Sequence, residues 1–183
     1  MATLVFLYGP PAVGKTTVGR MVAEQMNYRF FFNHLTVPAA RAIFPDASLL
    51  HYDPRHRSLL HQLRKDALAA AAQANFDTVF TMAYSGEIDD AMVAEIVHEF
   101  TKRGGRVCFV ELHAPEDVLM QRVEDPSREA LHLGKMTSRE HLRKALEMRD
   151  MMASVSYPDI LKIDTSVLSP ERSAQAIIDM LQK

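Results

Sequence analysis

The chain has 183 residues, 48% hydrophobic and 24% charged, with a formal net charge of -2: enough for one globular domain and no general nucleic-acid binder. Its single cysteine, Cys108, excludes an internal disulfide and any CxxC metal knuckle. No window approaches the ~20 apolar residues of a membrane span, so a cytoplasmic protein with no membrane partner is expected, while the sequence is silent on oligomeric state.

Thr3 to Tyr8 is a short apolar run and reads as a buried parallel strand. From Lys15 to Met26, Val18, Met21, Val22 and Met26 share one helical face. Arg29 to Phe32 is a second strand, ending at Asn33 and His34. Residues 36 to 50 are mixed and suggest a short helix broken near Pro45. Pro54 fits the first turn of a long helix reaching about Ala74. Thr78 to Ala83 is a third strand, closed by Tyr84, Ser85 and Gly86.

Ile88, Met92, Ile96 and Phe100 step by four along the next helix, which Gly104 and Gly105 end. Arg106 to Leu112 is a fourth strand, and Pro115 begins a helix carrying Val118, Leu119 and Val123. Residues 124 to 136 lose the pattern and read as a mobile segment. Thr137 with Glu140 has the spacing of a capping box for a helix to about Ala153. In that helix Met148, Met151 and Met152 read as core filler. Ile160 to Ile163 is a fifth strand, and Ser169-Pro170-Glu171 opens the last helix. Strands alternating with helices imply an α/β sandwich with a mainly parallel sheet.

The strongest motif is Gly9-Pro10-Pro11-Ala12-Val13-Gly14-Lys15-Thr16-Thr17, which matches the P-loop pattern in full. Its glycines let the backbone come close to a phosphate, and successive N–H groups then converge on the phosphate oxygens at a helix N-terminus. Lys15 is assigned to the β- and γ-phosphates and Thr16 to Mg²⁺; Thr17 adds a candidate α-phosphate contact. A strand before and a helix after are the context that the motif requires.

The chain has no Asn-Lys-x-Asp guanine-reading motif, and its third strand runs into Tyr-Ser-Gly with no water-orienting acid. A motor-like NTPase is therefore disfavoured. At these residues the sequence resembles the small P-loop kinases: the nucleoside monophosphate, shikimate and gluconate kinase group, AAA-type small kinases with antibiotic-phosphorylating relatives. GPPAVGKTT, the segment Phe109 to Val123 and the segment Lys162 to Ile178 carry the resemblance. It implies a single domain over residues 1–183, a three-layer sandwich around a five-stranded parallel sheet. It further implies an acceptor region at about 34–75, a lid at about 124–136, ATP and Mg²⁺ as the donor pair, and a small-molecule acceptor. The rival reading is a nucleotide-binding switch or an NTPase without an acceptor.

Phosphoryl transfer needs cations on the γ-phosphate. Arg122 matches the arginine leading into the lid of these kinases, Arg128 matches more loosely, and Lys135 lies beside the lid. Each also reads as a solvated side chain. Related sugar and shikimate kinases carry an aspartate at the end of strand two, where this chain has Asn33 and His34. That departure puts shikimate and gluconate in doubt as substrates. His34 is a candidate base because an unperturbed imidazole titrates near neutral pH. Asn33 is a candidate for orienting the acceptor.

Arg57 and Arg64 are seven residues apart, about two helical turns. They are candidates to clamp an anionic acceptor, although a solvated basic face is the simpler reading. Tyr84 and Gly86 end strand three, where ligands meet doubly wound sheets. Asp53 reads as part of an Asp-Pro turn.

Overall fold

A computed structural model describes residues 1–46, 53–131 and 135–182, with the side chains of 129–131 left aside. The chain runs β1 (Thr3–Tyr8), α1 (Lys15–Met26), β2 (Arg29–Phe32), a 3₁₀ turn (Asn33–Thr36) and α2 (Val37–Ile43). It continues with α3 (Pro54–Gln73), β3 (Thr78–Met82), α4 (Glu87–Thr101) and β4 (Arg106–His113). Then come α5 (Glu116–Arg122), a 3₁₀ turn (Pro126–Leu131), α6 (Arg139–Met148), β5 (Leu161–Asp164) and α7 (Pro170–Leu181). The sheet has five strands in the order β2-β3-β1-β4-β5, and every pairing is parallel.

The central strand β1 shows why both sheet faces must be covered. Alternate side chains point to opposite faces. Val5 and Leu7 pack with Val18 and Val22 of α1 and Ala174, Ile177 and Ile178 of α7. Leu4, Phe6 and Tyr8 pack on the other side with Leu68 of α3 and Met92, Ile96 and Phe100 of α4. Each is fully or almost fully buried, so truncating Leu7 or Phe6 to alanine costs about 3–5 kcal/mol in lost transfer and cavity energy. Among the described residues no helix is long and apolar enough to cross a membrane.

Four sequence expectations shift. The helix after β3 is rotated from the reading that places Ile88 inward: Ile88 is 50% exposed, and the buried stripe is Asp89, Met92, Val93, Ile96 and Phe100. Asp89 turns inward because charged partners wait for it there. The cap of α6 is Ser138, whose side chain accepts from the His141 N–H, in place of Thr137. That helix stops at Met148, because Arg149 is extended. Of the three methionines only Met151 is core; Met148 and Met152 stand about half exposed. Part of the lid segment, 132–134, and the residues 47–50 after Pro45 lie outside the described residues.

Candidate active site

The P-loop joins β1 to α1. Gly9 has φ 145°, and a Cβ there would lie 2.1 Å from the Leu112 carbonyl oxygen on β4. Only glycine lets the loop leave the sheet at this point. Gly14 caps α1 with φ 101°, and a Cβ there would meet nothing within 4 Å. Lys15 curls back over the loop, its Nζ donating to the carbonyls of Gly9 (2.7 Å) and Pro10 (2.6 Å). Burial, with Arg128 and Lys135 nearby, pulls its ammonium down to about 7. An anion beside Lys15 relieves that electrostatic pressure.

A cavity of about 1450 Å³ opens over this loop. Residues Pro11 to Thr17 line one part of it, with Thr16 at the start of α1. Gly9 and Pro10 lie behind the wall and contribute their carbonyls to Lys15. Arg122, Arg128 and Lys135 line the side toward the lid. Asn33, His34, Arg57 and Arg64 line the remaining part. Such a volume exceeds the upper end of ordinary single-ligand pockets, roughly 300–1,000 Å³.

The lid-side arginines differ. Arg122 donates to the Thr165 hydroxyl (3.0 Å) and carbonyl (2.7 Å), tying α5 to the β5–α7 turn. Arg128 donates from Nε and Nη2 to the Met136 carbonyl at 3.1 and 2.9 Å. Arg128 and Lys135 act electrostatically on both Lys15 and His34. They therefore lie toward the Lys15 end of the cavity, whereas Arg122 belongs to the wall beside Thr165.

His34 sits among cations. Burial first, then Lys15, Lys135, Arg64 and Arg128, push its imidazole down to about 3. This corrects its assignment as a base of ordinary strength: the ring is neutral and a feeble base in this setting. Asn33 is buried, and its carbonyl accepts from the Thr36 hydroxyl (2.7 Å), which in turn receives Arg64 Nε at 3.3 Å.

The basic face of α3 is not solvated as the simpler reading has it. His56 and Arg64 are buried, and Arg57 is nearly so. Arg57 pairs with Asp89 at 2.5 Å, and His61 Nε2 lies 3.2 Å from the same oxygen. The Ser85 N–H completes this carboxylate's bonding at 2.8 Å. Asp89 is a cavity residue that sequence reasoning missed, as are His61 and Thr165. The available signal for Asp89 was an acid in the first turn of the helix after a strand's C-terminal end, hidden by a mis-phased apolar stripe.

Two acceptor candidates leave the site. Tyr84 is 2% exposed, packs edge-on against Tyr8 and donates to Asp90. Its ring is core, and Ser85 beside it lines the cavity instead. Gly86 starts α4 with φ 62° and faces Ala153 and Asp150, so it turns the chain. Asp53 caps α3 by accepting from the Arg55 N–H, as an Asp-Pro turn should.

Residues 4–150 match the family model described as AAA domain. The chain belongs to the AAA domain family. No curated protein is significantly similar to this AAA-domain chain in sequence. Solved structures are similar in fold. A sugar kinase from Janibacter sp. is 17% identical, with a TM-score of 0.71 over 100% of this chain and 95% of that one. A gluconokinase from Sinorhizobium meliloti is 18% identical, with a TM-score of 0.67 over 98% and 93%. A shikimate kinase from Acinetobacter baumannii, in complex with shikimate, is 20% identical, with a TM-score of 0.56 over 100% and 94%. At these identities the likeness is one of fold: the AAA-domain chain has the P-loop kinase architecture, a parallel five-stranded sheet with helices on both faces.

Proposed function

We propose that this AAA-domain protein transfers the γ-phosphate of ATP to an oxygen of a small-molecule acceptor. The observation that carries this is a single cavity whose wall runs from the P-loop at Lys15 to Asn33, His34 and Arg64. A site for hydrolysis alone has no use for so much space beyond the loop. The neighbours named as gluconokinase and shikimate kinase support the same reading, on one shared fold. Residues 34–75 serve as the acceptor region and 124–136 as the lid. The absence of cysteine pairs and the use of ATP suit a reducing cytoplasm.

The transfer is one displacement. A lone pair on the acceptor oxygen attacks the γ-phosphorus. The bond from the γ-phosphorus to the bridging oxygen breaks, and its electron pair leaves with ADP. The proton of an attacking hydroxyl passes to water. Lys15, Arg128 and Lys135 hold the charge on the transferring group, since such transition states require positioning and charge stabilisation more than proton abstraction. Asn33 and His34 orient the acceptor oxygen.

Mg²⁺ fits the donors present. It takes one or two protein oxygens plus phosphates and waters, and Thr16 offers a hydroxyl on the cavity wall. Among the described residues no group of three or more His, Cys, Asp or Glu competes as a metal site. Held there, the ion would supply positive charge to offset that of the phosphates.

The test is ADP release from MgATP with and without a panel of acceptors. Acceptor-dependent release that disappears in Lys15→Ala supports the proposal. Release indifferent to every acceptor means an NTPase, and tight nucleotide binding without turnover means a switch; either result overturns it.

A further inference from the structure

We propose that His61, oriented by Asp89, takes up the proton of the attacking hydroxyl, delivered to it by water in the cavity. The inference rests on the transfer reading and names the base of that reaction.

Phosphoryl transfer to a hydroxyl releases one proton, and the groups able to hold it are on the cavity wall. The acids there are Glu24, Asp89 and Asp125. Glu24 and Asp125 are exposed, and Asp125 accepts the Ser127 N–H. Asp89 is only 2% exposed, and both its oxygens are occupied. Oδ1 meets Arg57 Nη2 and His61 Nε2, and Oδ2 accepts the Ser85 N–H. The histidines on the wall are His34, His56, His61 and His141. Burial and the cations around it leave His34 a feeble base. Burial first, then Arg41, push His56 down as well. Among the described residues, His61 is the only histidine with a carboxylate within ion-pair distance.

That contact decides which ring nitrogen works. A carboxylate facing Nε2 requires a hydrogen there, so the lone pair of the neutral ring sits on Nδ1. The His61 side chain is 20% exposed and forms part of the cavity wall. Arg57 on one oxygen and the Ser85 N–H on the other hold the carboxylate still. Asp89 is therefore a positioning residue: it fixes the ring and steadies the imidazolium that forms, without taking the proton itself.

The place suits the task. His61 and Arg64 are three residues apart and so neighbours on the surface of α3. Arg64 acts electrostatically on His34, the residue that orients the acceptor oxygen, so ring and acceptor share this part of the cavity. Asp89 also acts on Arg64. The charged groups around His61 are thus Arg57 and Arg64 on α3 and Asp89 on α4. As the acceptor oxygen bonds to the γ-phosphorus, its proton moves to water and a proton of that water moves to Nδ1. The imidazolium keeps its Nε2–H on Asp89 and returns the extra proton to solvent after the products leave.

The experiment uses the full chain with MgATP and glycerol, glucose, gluconate, shikimate and AMP as acceptors. On whichever is phosphorylated, His61→Gln should lower kcat about a hundredfold, the low end of general-base catalysis. Acceptor KM should stay within about threefold, because the lost interaction belongs to the transition state. Imidazole added to His61→Ala should restore kcat in a saturable way, which a merely structural role would not allow. The ring itself is read by nitrogen NMR of the unaltered protein, assigned through the backbone, so the test stays open if a variant does not fold. The Nε2–H tautomer is expected, and Asp89→Asn should abolish that preference. A folded His61→Gln with undiminished kcat, a loss that imidazole leaves untouched, or an Nδ1–H tautomer overturns the proposal and leaves the transfer reading standing. Transfer to none of the acceptors removes the transfer reading, and the base with it.

Discussion

The two halves of the cavity are built by different means. The donor half is one contiguous loop, Gly9 to Thr17, whose working groups are backbone N–H donors, one ammonium and one hydroxyl. The acceptor half is assembled from the end of β2, one face of α3 and the first turn of α4, residues spread from Asn33 to Asp89. The first depends on backbone shape and tolerates almost no change. The second depends on a balance of buried charges, and can be retuned one side chain at a time. The contrast predicts how each half fails.

The largest effect belongs to the donor half. Lys15→Ala should lower phosphoryl transfer by about a thousandfold or more, the scale of removing a charge-stabilising group from a transition state. The fold should survive, since among the described residues Lys15 bonds only to carbonyls of its own loop. ADP release and a thermal melt check both statements. Substantial transfer in a folded variant would detach the donor half from the chemistry.

Backbone shape is probed next. Gly9→Ala forces a Cβ to 2.1 Å from the Leu112 carbonyl, which belongs to a strand paired with β5 and cannot retreat. A loss of about 3 kcal/mol or more is expected in urea titration. Gly14→Ala meets no atom within 4 Å and carries only the strain of φ 101°, so about 1–2 kcal/mol suffices. Equal losses at the two glycines would mean that strain, and not the contact with β4, shapes the loop.

The acceptor half should respond through affinity. Asp89→Asn removes the charge that holds Arg57 and His61. Acceptor KM should rise about tenfold while the MgATP KM stays within about twofold, with a stability cost of about 3 kcal/mol from the unpaired arginine. A rise in the nucleotide KM instead would show that the two halves are not separable.

The same contrast explains what was legible. The sheet, its strand limits to within one residue and the P-loop could be read because each is written locally: five apolar runs, and one motif of nine consecutive residues. The acceptor site could not, because its key relation, Arg57 with Asp89, spans 32 positions and leaves no local signature. Stepping Ile88, Met92, Ile96 and Phe100 by four gave a plausible stripe that excluded Asp89. Burial of Arg64 and His56 was equally hidden, since a run rich in arginine and histidine reads as solvated by default. Tyr84 failed for the opposite reason: a strand-end position suggests a ligand, but a large ring beside Tyr8 is worth more in the core.

The smallest effect is a proton. Burial, then Arg128 and Lys135, hold the Lys15 ammonium down to about 7. Phosphates beside it favour the charged form and raise it again. Nucleotide binding should therefore take up protons: about half a proton at pH 7 and close to one at pH 8, where the phosphates are fully ionised. The sign follows directly. Below pH 7 Lys15 is already charged and affinity is flat; above it each bound nucleotide must recruit a proton, so affinity falls by up to about tenfold per pH unit. Calorimetry at pH 8 in two buffers of different ionisation enthalpy measures the uptake. His34, pushed down by the same cations, is the rival acceptor for that proton. Lys15→Met separates them: uptake that vanishes belongs to Lys15, and uptake that persists but is lost in His34→Gln belongs to the imidazole. No uptake in the unaltered protein would mean that Lys15 stays charged in the empty loop, and that the carbonyls of Gly9 and Pro10 compensate it fully before any phosphate arrives.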